Sequence, residues 1–373
     1  MIRMNPRVWR AAPLLAFLFL PSGFAASTPL GKSQDKKPVQ AVTEQDRARS
    51  AERGLKWLLR AQNRDGSWGL DQGREGCISC TVVASLAIMA NGNTERGGPN
   101  PDGVQAIRRG LDFVMRHARR MKGDIWKGET TLVQHKLGQS IHSIFATVFL
   151  TQIYGQRGAG LSADAHQELR DAVSQLAGVI VKAQGPDGSW HKETFGSLKA
   201  TCMAWLALRA AASAGVDVEE ASVRKTLDFL KSQWNPGTKL FDKTTGNGNY
   251  QTIYATASCL RVLYAMGDGN SKEAKGATEA FMKFVQTGQM GAAFLTVEGE
   301  DYLSAALFTQ ALLIEQDKRL ADWYPWITGE LLKRQNADGS WTSTACISGR
   351  TFATACAVMT FLAPQRMLPI VEQ

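Results

Sequence analysis

Ala61-Gln62-Asn63-Arg64-Asp65-Gly66-Ser67-Trp68 settles the architecture of this chain, because the sequence returns to it twice. The second copy is Ala183-Gln184-Gly185-Pro186-Asp187-Gly188-Ser189-Trp190 and the third is Arg334-Gln335-Asn336-Ala337-Asp338-Gly339-Ser340-Trp341. In all three the Gln-to-Trp offset is the same and Asp-Gly-Ser stands at the same place. Before the first copy, Leu55, Leu58, Leu59 and Gln62 fall at i, i+3, i+4 and i+7, one face of an amphipathic helix. After it comes a second apolar segment rich in small residues. Asp-Gly supplies the turn between them, since Asp bonds local backbone and Gly tolerates positive φ. The unit is helix, tight turn, helix.

Weaker copies fill the gaps. Gly110-Leu111-Asp112-Phe113 and Thr226-Leu227-Asp228-Phe229 echo Gly54-Leu55-Lys56-Trp57, and Ser232-Gln233-Trp234 and the stretch from Gln286 to Gln289 mark further helix ends. First helices are therefore expected to end near 62, 118, 184, 234, 288 and 335, about six pairs. The second helices share another theme: Cys80-Thr81, Ala146-Thr147, Ala200-Thr201, Ala255-Thr256 and Ala353-Thr354. Small residues on successive helices allow the close approach that an inner ring demands. Strand signals are nearly absent. A TPR superhelix needs a period near 34, and neither TPR nor HEAT repeats carry this turn.

Outside the repeat region, Arg3, Arg7 and Arg10 precede the apolar run Ala11 to Leu20 and the small residues Gly23-Phe24-Ala25-Ala26. This pattern predicts a secretory leader over residues 1–25, cleaved before Ala26. Ten apolar residues interrupted by Pro13 are too few for a membrane span, so no integral segment is expected after cleavage. The protein is expected to be secreted or periplasmic, in a disulfide-permissive compartment. Residues 26–43 read as a flexible linker, 44–366 as the folded region and 367–373 as a tail. Loss of the three leader arginines lowers the formal charge from +9 to +6. The remaining charge is dispersed, and Arg108, Arg109, Arg116, Arg119 and Arg120 lie on a helical pattern as a solvated face, so a nucleic-acid partner is not expected.

The triples Gln62/Gly66/Trp68, Gln184/Gly188/Trp190 and Gln335/Gly339/Trp341 resemble the QW repeat of squalene-hopene and oxidosqualene cyclases, which is related to the repeats of prenyltransferase β-subunits. The resemblance spans roughly residues 44 to 366 and implies an all-α (α/α)6 toroid. It also implies that Gln bonds backbone and Trp packs across the turn, on the outside of the barrel and partly buried.

Function is a separate matter, because one fold hosts many activities. Cyclases of this type protonate an alkene with Asp-x-Asp-Asp, which this sequence lacks. The nearest match is Glu298-Gly299-Glu300-Asp301, with Glu300 as the candidate acid and Glu298 and Asp301 tuning it; an N-terminal acidic cap is the plainer reading. The zinc ligands of prenyltransferases are missing: the corresponding helix start, from Gly248 to Tyr254, has no His and no Asp-x-Cys partner. Cys77-x-x-Cys80 with His135 and His142 lacks standard zinc spacing, so neither metal nor cofactor is expected. Ring closure would instead bring Cys346 near Cys77 or Cys80 as a disulfide, while Cys202, Cys259 and Cys356 read as buried small residues. Asn63 to Gly66 lacks the first and last ligands of a calcium loop. Gly-x-Ser-x-Gly, His-Glu-x-x-His, phosphate-loop and thioester signatures are also absent.

Three functions remain open. One is a binding protein for an apolar, isoprenoid-like or glycan ligand, using ring-end His142, Trp205, Tyr250, Tyr254 and Tyr302. Another is an isoprenoid cyclase or transferase. The last is a cell-envelope glycan lyase or hydrolase with a Tyr or paired carboxylates. The sequence leaves oligomeric state open.

Overall fold

The computed structural model describes residues 42–155, 162–191, 196–241, 250–287, 299–344 and 347–365. Among them are thirteen helices: α1 (Glu44–Ala61), α2 (Ile78–Ala90), α3 (Pro101–Ala118), α4 (Leu132–Leu137), α5 (Ile141–Gly155), α6 (Ala163–Lys182), α7 (Ser197–Ser213), α8 (Glu220–Ser232), α9 (Tyr250–Ala265), α10 (Lys272–Thr287), α11 (Gly299–Ile314), α12 (Leu320–Arg334) and α13 (Arg350–Leu362). Two short antiparallel strands, β1 (Trp68–Gly69) and β2 (Gly76–Cys77), pair Trp68 with Cys77. Outer helices end at 61, 118, 182, 232, 287 and 334, within two residues of the ends read from the sequence.

Helices α2, α5, α7, α9, α11 and α13 pack each on the next, and α13 returns to α2. The ring is closed. Patterning explains the two layers. In α1 the buried residues Ala51, Leu55, Leu58 and Ala61 form one stripe, whereas in α2 all residues from Ile78 to Ala90 are buried, because an inner helix has protein on every side. Ring closure rests on the first outer helix: α1 lies on α13, and Gln335 Nε2 donates to the Ser50 carbonyl at 2.9 Å.

The three turns are superposable in their bonding. Each Trp indole donates to the carbonyl ten residues earlier, Leu58, Ile180 or Leu331, at 2.8 Å. Each Trp backbone N–H donates to the threonine of the second theme, Thr81, Thr201 or Thr354, at 2.9–3.0 Å. Phe241, which follows the degenerate fourth turn, does the same to Thr256 at 3.1 Å. The two sequence themes are thus two halves of one joint. Each Gln amide donates within its turn, to Gly66, Gly188 or Gly339, and also to the adjoining outer helix at Ala106, Ser222 or Ser50. The turn glycines sit at φ +91, +88 and +94, where a Cβ would meet a backbone carbonyl within 2.6 Å. Gly54 and Gly110 clear room for the indoles of Trp341 and Trp68. One expectation needs correction: Trp68, Trp190 and Trp341 are each 0% exposed rather than partly buried, because the next outer helix covers them.

Candidate functional site

Contacts among inner-helix first turns define one mouth of the ring. Ser79 of α2 touches His142 of α5, Phe145 of α5 meets Phe352 of α13, and Lys199 of α7 meets Tyr254 of α9 and Glu300 of α11. The N-termini of the inner helices therefore gather at one end. The threonine joint sets the register: Phe145, Lys199, Tyr254 and Phe352 all stand two residues before the threonine of their helix. That position points to the ring axis. Phe145 and Phe352 pack edge to face across it at 6.3 Å, since α2 lies between their helices in the ring.

The charged centre is beside them. Glu300, in the first turn of α11, is fully buried and ion-paired with the Lys199 ammonium, itself almost wholly buried on α7. Helix α9 stands between α7 and α11, so this pair also crosses the lumen. Lys136 on α4 places its Nζ 3.3 Å from the other carboxylate oxygen and keeps 13% of its side chain exposed, which opens the triad toward solvent on that side. The Lys199 ammonium also lies 4.9 Å from the centre of the Tyr254 ring, a cation–π contact. Apolar residues of similar volume at such a place are often no less stable than an ion triad, which makes the cluster a candidate for function. Gly299 lets α11 begin here: a Cβ would lie 2.4 Å from the Ile347 carbonyl.

His142 is fully buried and held at both nitrogens. The Ser79 backbone N–H donates to Nδ1 at 3.2 Å, which places the ring proton on Nε2, 3.1 Å from Thr131 Oγ1. Burial, with a smaller contribution from the His117 charge, pushes its pKa down to about 3. It is a neutral structural group at physiological pH. Trp126 lies against it at 5.1 Å between ring centroids, tilted, and also stacks with His117 at 5.5 Å. Trp126 is half-buried, and its indole donates to the Glu129 carbonyl. Leu132, in the same connection between α3 and α5, is 43% exposed.

The structure thus brings Tyr254, Glu300 and Lys199 together and places His142 at the same mouth. Tyr254, Tyr302, Trp205 and His142 are all buried, so none presents a free face to a ligand. Tyr302 donates to the Thr342 carbonyl at 3.4 Å, and burial raises its hydroxyl pKa. Trp205 lies six residues further along α7, beside Arg209. Asp301 is buried next to Glu300. Glu298, Cys346 and the Tyr250 side chain lie outside the described residues. Lys136, Lys199 and Trp126 were not singled out in the sequence, although two signals were there. Lys199 is the charged residue in the first turns of an otherwise apolar inner helix, and Trp126 is a solitary aromatic in a polar connection. Among the described residues no group of three or more His, Cys, Asp or Glu is arranged to hold a metal, and no helix is long and apolar enough to cross a membrane.

No family model and no curated protein matches the sequence. Solved structures do. A GH76A α-1,6-mannanase from Salegentibacter sp. HEL1_6 aligns over 86% of this chain and 99% of its own, with TM-score 0.57 and 9% identity. The type II terpene cyclase MstE from Scytonema, in complex with merosterolic acid A, aligns over 87% and 99%, with TM-score 0.52 and 15% identity. An α-amylase from Clostridium perfringens aligns over 84% and 97%, with TM-score 0.51 and 13% identity. The chain has the α/α toroid fold in common with these proteins.

Proposed function

We propose that this chain is an exported glycan-binding toroid that takes its ligand over the mouth formed by the inner-helix N-termini. The observation that carries the reading is the character of that mouth: the half-buried indole of Trp126 stands at the same end as the Lys136–Glu300–Lys199 triad, while Phe145 and Phe352 fill the axis. The exposed part of this indole offers apolar surface to the C–H face of a pyranose ring, and an ammonium at the edge bonds its hydroxyls. Trp126 and Lys136 are assigned these contacts, with Glu300, Lys199 and Tyr254 as the rigid floor. The mannanase and the amylase among the structural neighbours act on glycans, which agrees with the reading at the level of fold.

A hydrocarbon ligand suits this mouth less well, because it would strip water from the partly exposed Lys136 ammonium without replacing its hydrogen bonds. A cyclase acid at Glu300, with Glu298 and Asp301 beside it, requires the proton to sit on a carboxylate that is already paired with two lysine ammonium groups. The test is mass spectrometry of small molecules retained by the purified mature protein. An oligosaccharide is the expected result; a retained isoprenoid, with turnover of a squalene-like substrate lost in Glu300→Gln, would replace this reading with the cyclase one.

A further inference from the structure

Cys77 and Cys80 take no part in the ligand mouth's polar floor, yet their placement is specific. Cys77 ends β2 and is the N-cap residue of α2, and its sulfur accepts the Cys80 backbone N–H at 3.5 Å. Cys80 is the third residue of the helix. N-cap and third-residue side chains meet at a helix start, the geometry of a capping box. The same chain shows this twice: Thr43 Oγ1 donates to Asp46 Oδ2 at 2.6 Å at the start of α1, and Thr131 Oγ1 lies 3.3 Å from Gln134 Oε1 at the start of α4. At α2 the two positions hold sulfur opposite sulfur.

We propose that Cys77 and Cys80 form a redox-active dithiol that undergoes thiol–disulfide exchange with a small disulfide. Both residues are buried, Cys77 with 5% of its surface exposed and Cys80 with none, so Cys77, at the helix start, is assigned as the attacking sulfur. The Cys80 thiol and the backbone amides of Cys80 and Ser79 hold the Cys77 thiol below its ordinary pKa, while bonding to Cys77 and burial raise that of Cys80. The N-cap place of Cys77, where helix-terminal amides favour a thiolate, suits a nucleophile, with Cys80 three residues on as the resolving thiol. The Cys77 thiolate attacks one sulfur of R–S–S–R, that bond breaks, and one thiolate leaves and takes up a proton. Cys80 then loses its proton and attacks the Cys77 sulfur, expelling the second thiolate. The protein dithiol is oxidised by two electrons and R–S–S–R is reduced to two thiols. The intramolecular bond links adjacent side chains of one helix start, so it closes with α2 in place.

The experiment equilibrates the full chain in glutathione buffers of graded redox poise, quenches with acid, alkylates free thiols and maps peptides by mass spectrometry. The expected result is a Cys77–Cys80 bridge that appears with a single midpoint and is reversed by a dithiol reductant. Cys80→Ser should stop at one glutathione on Cys77, and Cys77→Ser should remove the reactivity. Serine is a good N-cap, so Cys77→Ser is expected to fold, with circular dichroism as the check. Both thiols remaining reduced in the most oxidising buffer would overturn the proposal, and so would a bridge from either cysteine to Cys346.

Discussion

Truncating Trp190 to alanine tests the joint that holds the ring together. Its indole is 0% exposed, its Nε1 donates to the Ile180 carbonyl at 2.8 Å, and its backbone N–H binds Thr201. A buried Trp removes about 150–250 Å² from water. At roughly 25 cal/mol per Å² that gives about 4–6 kcal/mol, an upper figure because the unfolded chain is not fully extended. Measured truncations of buried Phe and Trp cost about 3–5 kcal/mol, and that is the loss expected here. Trp190→Phe keeps the ring volume in large part, and the Ile180 carbonyl retains the Ala183 N–H at 3.1 Å, so about 1–2 kcal/mol is expected. Urea unfolding followed by circular dichroism and fluorescence measures both, with coincident transitions as the check on cooperativity. Trp68→Ala and Trp341→Ala should fall within about 1 kcal/mol of Trp190→Ala, since their bonding is the same. A loss below about 1 kcal/mol for Trp190→Ala, or unrelated values at the three positions, would refute the equivalence of the repeats.

The turn glycines give a second test: Gly339→Ala combines φ +94 with a Cβ 2.6 Å from the Arg53 carbonyl, whereas Gly73→Ala has φ +73 and open space, so the first should cost clearly more than the second's roughly 1–2 kcal/mol. Lys199→Met should destabilise by about 3–5 kcal/mol, because among the described residues Glu300 then keeps only the Lys136 ion pair in a buried place, and adding Glu300→Met should restore much of that loss. A double-mutant cycle that proved additive would deny the contact. His142 makes stability fall in acid: its pKa is about 3 in the folded chain and near 6.5 when unfolded, so below pH 6.5 the unfolded state binds the proton and the native state does not. The contribution is full above pH 6.5 and declines by about 1.4 kcal/mol per pH unit toward pH 3; His142→Gln should flatten that slope, and an unchanged slope would place the titration elsewhere.

Much of the fold was legible because its joints are local. Gln62, Gly66 and Trp68 lie within one turn, and the bonds that Asp65, Ser67 and Gln62 make there are short-range, so spacing alone reveals them. The threonine theme was visible too, but its role was not: Trp68 N–H meets Thr81 only after the second helix has folded back. The indoles were expected to be half covered because nothing in the motif shows that Gly54 and Gly110 of other units lie over them. The mouth was harder to read. Lys199 and Glu300 come from helices two steps apart in the ring, so no linear spacing connects them. A lysine within an apolar helix is the kind of signal that identifies such a site, and Lys199 is one. Tyr254 and His142 were named as ring-end ligand contacts, whereas their packing follows from neighbours on α7, α2 and the connection carrying Thr131, which the sequence does not bring together.

Calorimetric titration of the mature protein with α-1,6-mannooligosaccharides, maltooligosaccharides and an isoprenoid alcohol tests the account at its centre. The expected outcome is saturable binding of an oligosaccharide, weakened about tenfold or more by Trp126→Ala, with a loss of stability smaller than that of Trp190→Ala, and no heat with the isoprenoid. Isoprenoid binding that survives Trp126→Ala, with no response to either sugar series, would contradict it.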